Sequence, residues 1–107
     1  MSETFPRRPP AVRCPPSTSA LRDLTGNAPL RQCAQAAMSV ADAVQSIPHR
    51  GAQILGAACA ALLLAEASGI RPDELFGMAR NCMNHADGRR PEFAAVSDYI
   101  HNEVFHG

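Results

Sequence analysis

Leu30, Cys33, Ala37, Val40, Ala41, Val44 and Ile47 recur at steps of three and four residues, with Arg31, Gln35 and Asp42 falling between them. That is the spacing of an amphipathic helix, and it predicts a first helix from about Pro29 to Ser46 with a narrow face of small residues. A second, from about Pro48 or His49 to Ser68, contains the run Ile54-Leu-Gly-Ala-Ala-Cys-Ala-Ala-Leu-Leu-Leu-Ala65. At about 100° per residue, Leu62, Leu63 and Leu64 alone cover roughly 200° of its circumference, so its middle has no polar face. A third helix opens at Arg71-Pro72-Asp73-Glu74, with Leu75, Met78, Ala79, Cys82 and Met83 as its apolar side, and closes at Asp87-Gly88. Arg89-Arg90-Pro91-Glu92 launches the last, with Phe93, Val96, Ile100 and Val104 on one stripe and Tyr99 beside it.

Pro29, Pro48, Pro72 and Pro91 each stand just before one of these stretches. Proline is tolerated in the first turn of a helix, where its missing N–H has no intrahelical partner, and is expelled from helix interiors. Gly69 supplies the left-handed residue that ends the second helix, with Ile70 as its following apolar contact. No strand is expected. The fold class is therefore all-α: a compact four-helix domain over residues 28–107 with a buried central second helix.

The apolar run of the second helix decides how that domain closes. Twelve residues fall short of the about twenty needed to cross a ~30 Å hydrocarbon layer, so burial within protein is expected and membrane association is not. Burying Ile54, Leu55 and the three leucines contributes roughly 1.5–3 kcal/mol each, against an ordering cost of about 1–2 kcal/mol per residue. Three other helices make a thin shell for it. Ala57, Ala58, Ala60 and Ala61 let another helix approach closely, so part of this surface, or its Leu63/Leu64 side, is expected to be shared with a second copy, giving a homodimer.

Composition adds an N-terminal arm. Residues 1–27 hold Pro6, Pro9, Pro10, Pro15 and Pro16 among Arg7, Arg8, Arg13 and several hydroxyl residues. Such a segment cannot bury enough apolar area to offset its ordering entropy, so a disordered Pro/Arg-rich arm is expected, with a short turn of helix around Ser19 to Leu24. Its three arginines suit an acidic partner, nucleic acid or a polyproline-reading groove. No apolar run follows the first basic residues as in a secretory signal, and a cytoplasmic location is the expectation. Ten arginines and no lysine balance ten acidic residues, leaving a formal net charge of zero and no global field to hold nucleic acid or an anionic surface. Cys14, Cys33, Cys59 and Cys82 are dispersed, unlike a dense disulfide framework, and no structural disulfide is expected.

Chemistry-bearing groups are sparse. The chain has no Gly-rich phosphate loop, no H-E-x-x-H and no G-x-S-x-G. Cys82 with His85 is the one nucleophile–base pair close in sequence, and a cysteine on an apolar stripe has a raised pKa and is inert. A zinc site from Cys82, His85, His101 and His106 has poor spacing, since the last two are five residues apart and point about 140° away from one another on a helix. No enzyme, cofactor or metal is expected.

Two surfaces remain. Asn81 to Glu92 is the densest polar group in the folded part, and Asn84, His85, Asp87, Arg89, Arg90 and Glu92 are the expected partner contacts, with the two arginines suited to fork onto a carboxylate or phosphate. The segment Leu64-Ala-Glu-Ala-Ser-Gly-Ile-Arg-Pro-Asp-Glu-Leu75 resembles the turn of helix-turn-helix DNA-binding domains through Ala65, Gly69, Ile70 and Leu75. That resemblance implies a regulator holding phosphates with Arg71, Arg80, Arg89 and Arg90; Asp73 and Glu74 at the head of the would-be recognition helix oppose it. The favoured expectation is a small non-enzymatic interaction or regulatory module with a protein partner. Its size, neutrality and lack of catalytic groups suit an accessory protein of a phage or mobile element.

Overall fold

In the computed structural model, residues 18–105 are described. Five α-helices follow in order: α1 Thr18–Gly26, α2 Leu30–Gln45, α3 Arg50–Ser68, α4 Pro72–Met83 and α5 Pro91–Tyr99. A π-helical turn, Ile100–Val104, continues α5, and a two-stranded antiparallel ribbon, β1 Asn84–His85 and β2 Gly88–Arg89, joins α4 to it.

The proline punctuation holds in detail. Pro29 caps α2 in an extended conformation, and Pro72 and Pro91 occupy the first turns of α4 and α5. The start of α3 is capped differently: His49 Nδ1 accepts the Ala52 N–H at 3.1 Å, supplying one of the acceptors that the first turn lacks. At its other end Gly69 sits at φ 74°, its N–H donating to Glu66 O, while the Ile70 N–H donates to Ala65 O at 3.1 Å. These two bonds are the Schellman closure, and they turn the chain sharply into α4.

Three expectations are corrected. The helices among the described residues number five, because residues 18–26, assigned to the arm with a short helical turn, form a nine-residue helix that α4 holds through Arg22 and Glu74. The expectation for residues 1–17, and His106, lie outside the described residues. A strand pair exists where none was expected, with Asn84 opposite Arg89, His85 opposite Gly88, and Gly88 at φ 123°. Its four residues carry no alternation of apolar and polar positions, so the period that announces a strand is missing; the ribbon is closed by the Arg90 N–H donating to Met83 O at 2.8 Å.

The third correction concerns the core. The buried cluster is Ala34 of α2 with Phe93 and Val96 of α5, ringed by Leu30, Cys33, Ala37, Met38, Cys82, Met83 and Ile100. The second predicted helix, α3, is not central. It rests on the others by one stripe, Gln53, Ala57, Ala61, Ala65 and Ser68, and only Gln53 and Ala65 of these are buried. Alanine at steps of four gives a close but narrow seat, whereas the larger side chains of α2 and α5 match each other and exclude α3 from between them. The Leu62–Leu64 run is left in water, and no large side chain among the described residues is fully buried.

Candidate interaction surface

α3 presents apolar side chains almost all round. Leu55, Leu63 and Leu64 keep 67%, 63% and 68% of their surface, Ile54 keeps 61% and Leu62 45%. At about 100° per residue, Leu55, Cys59, Leu62 and Leu63 fall on the side directly opposite the alanine seat, with Ala52 and Gly56 among them. Cys59 is an exposed free thiol, and a Cβ added at Gly56 would meet nothing within 4 Å. Isolated exposed leucines are ordinary on a protein surface; a contiguous face of them marks a contact site.

The polar segment from the sequence reading is organised by its own hydrogen bonds. Asn84 caps α4 by donating from Nδ2 to Arg80 O at 2.9 Å, and its Oδ1 accepts from Arg89 Nε at 2.9 Å. His85 Nδ1 accepts the Asp87 N–H at 3.1 Å across the turn. Arg89 and Arg90 do not form one fork: Arg90 lines a cleft of about 640 Å³ between α2 and α4, and Arg89 borders a separate cleft of about 360 Å³ between α2, α3 and α5. The Arg90 Nε is buried with no hydrogen-bond partner among the described residues. Asn84 and Glu92 are half-buried, and His85 and Asp87 are exposed.

Of the residues assigned to phosphates by the helix-turn-helix resemblance, Arg71 is committed to Asp73 at 2.9 Å and Arg80 is exposed. Glu74 on the same first turn binds Arg22 through two bonds, 3.0 and 3.2 Å. The corner is therefore a tight helix–Gly–helix turn whose leading edge is acidic. Cys82 packs against the core cluster while His85 points to solvent, and no group of three or more metal-ligating side chains occurs among the described residues. Burial pushes the Cys82 thiol up, a hydrogen bond with Cys33 adds to this, and nearby Arg90 opposes it. Both cysteines line the larger cleft.

Sequence reasoning missed two polar ties. Gln53 is buried, donates from Nε2 to Ile47 O at 2.8 Å, and leaves Oε1 without a donor among the described residues. Tyr99 joins α5 to α2, its hydroxyl 2.9 Å from Asp42 Oδ1 and 2.6 Å from Gln45 Oε1. The hydrogen bond to Asp42, followed by partial desolvation and the negative charges of Asp42 and Glu103, raises the Tyr99 pKa above its ordinary 10.0. A raised pKa means that this tie stabilises the fold below the unfolded-state value and is lost as pH climbs through the folded one. Tyr99 is the single tyrosine and the chain has no tryptophan, so ultraviolet absorbance during alkaline titration reads this group alone. Its midpoint is expected to lie above 10 and to fall in Asp42→Asn; a midpoint unmoved by that substitution removes the tie. A comparison of the chain with protein families, curated proteins and solved structures finds no match.

Proposed function

We propose that this chain is a non-enzymatic protein-interaction module that works through the outer face of α3. The observation that carries the reading is that the chain builds its own core from α2 and α5 and leaves the largest apolar side chains of α3 outside it. Leu55, Leu62 and Leu63 on that face are only about half covered, which forfeits on the order of 1 kcal/mol apiece relative to full burial and is recovered by a partner surface.

The same helix is long and apolar enough to cross a membrane by length and composition: it runs 19 residues, beyond the twelve-residue run first weighed. The tertiary structure speaks against a span. A crossing α3 would put α1 and α2 on one side of a ~30 Å layer and α4 and α5 on the other. Yet Phe93 and Val96 of α5 pack on Ala34 of α2, and Arg22 of α1 is bonded to Glu74 of α4. A regulatory role on duplex DNA has the α3–α4 corner in its favour, but Asp73 and Glu74 stand where phosphates would approach.

The triple variant Leu55→Gln/Leu62→Gln/Leu63→Gln tests the reading. It is expected to keep the wild-type helical circular dichroism and to lose the hydrophobic-dye binding expected of the wild-type chain at sub-micromolar concentration. Loss of helicity would assign these leucines to the chain's own core and end the proposal.

A further inference from the structure

Resting on that reading, we infer that the partner of the α3 face is a second copy of this chain, docked antiparallel about a two-fold axis passing beside Cys59. The face is self-complementary in that arrangement. Positions related by the axis sum to twice 59, so Leu62 of one copy lies over Gly56 of the other, and Leu55 packs beside Leu63. A large side chain thus meets a gap at each Leu62–Gly56 step while two leucines share each Leu55–Leu63 step, an arrangement that knob-in-hole packing of helices accommodates. The gap at Gly56 is real, because among the described residues nothing beyond the local helix backbone lies within 4 Å of where its Cβ would stand.

Direction follows from charge. Glu66 shares the outward side of α3 with Leu62 and Cys59. A parallel pair would bring the two Glu66 carboxylates together, which costs energy, whereas the antiparallel pair sets each beside Ala52 of the other copy and opposes the two helix dipoles favourably.

The area suits a weak pair. Leu55, Leu62 and Leu63 leave on the order of 300 Å² of apolar surface on this side of α3. A standard interface takes about 800 Å² from each partner, so even with Cys59 and the small residues between them the face fits a reversible pair of micromolar strength rather than a tight one. The formal net charge of zero sets no electrostatic barrier between copies, and a chain with no large side chain fully buried among its described residues gains a core by pairing.

The test uses the full chain at about 100 μM, well above micromolar dissociation constants. Light scattering should give the mass of two chains, and a short bis-maleimide should link Cys59 to Cys59, read in the tryptic peptide that runs from Gly51 to Arg80 and holds no other cysteine. Gly56→Leu places its Cβ where nothing else stands within 4 Å and replaces glycine by a better helix former, and an unchanged helical circular dichroism separates loss of pairing from loss of fold. The variant should weaken the dimer at least tenfold. Glu66→Cys should yield no 66–66 link. A monomeric wild type overturns the inference while leaving the interaction reading intact if the dye still binds. A monomer that floats with phosphatidylcholine/phosphatidylglycerol vesicles overturns it in favour of a membrane-surface face. A dimer without the Cys59 link, one indifferent to Gly56→Leu, or one that gives a 66–66 link overturns the proposed geometry.

Discussion

Phe93→Ala is expected to lower the melting temperature by on the order of 15 °C, and to be the most damaging single truncation in the chain. Phe93 is 6% exposed, joins Val96 and Ala34 in the buried cluster, and borders both clefts. Truncating a core phenylalanine costs about 3–5 kcal/mol through lost transfer energy and the cavity left behind. The open clefts on either side let neighbours such as Met83 relax toward the hole, which favours the low end, about 3 kcal/mol. In a domain this small each kcal/mol moves the midpoint by roughly 4–8 °C. Because total stability scales at about 0.05–0.15 kcal/mol per residue, this loss consumes a large share of it. Calorimetry or a circular dichroism melt of the variant checks the figure. A shift under about 4 °C, the size expected for a minor surface change, would mean that α2 and α5 are not the nucleus of the fold.

Ile70→Ala is expected to rank next, at about 2–3 kcal/mol, within the range for truncating a buried isoleucine. Ile70 is 3% exposed and closes the Schellman turn after α3, so its side chain is buried where the chain reverses into α4. Leu64, six residues earlier on α3 and 68% exposed, is the natural control: Leu64→Ala removes a comparable side chain and is expected to cost under about 0.5 kcal/mol, as surface changes do. The contrast in urea midpoints between the two variants measures how far α3 is covered by its own chain. Equal losses would show that Leu64 is buried, and with it the rest of the apolar run.

Much of the architecture was legible locally. Pro29, Pro72 and Pro91 mark helix starts because the ring fixes φ and removes an N–H, and Gly69 marks a helix end because only glycine reaches φ 74° without steric cost. The stripe of Phe93, Val96, Ile100 and Val104 was read as one face, and Phe93, Val96 and Val104 are buried. The polar segment after α4 was placed correctly along the chain, but its two arginines face different clefts. Which way a side chain leaves a two-residue strand depends on the strand itself, and a ribbon of Asn, His, Gly and Arg carries no periodic signal.

What the sequence determined by itself is the course of the four helices after residue 28 and the presence of one that is apolar around its whole circumference, since propensity, capping and spacing act within a few residues. What only the tertiary structure decided is where that helix goes. Hydrophobicity is non-directional: it requires Leu55, Leu62 and Leu63 to leave water but does not say against what. The choice fell to shape, because α2 and α5 interlock through Phe93, Val96 and Ala34, and the alanine seat of α3 is too narrow to cover more than one side of it.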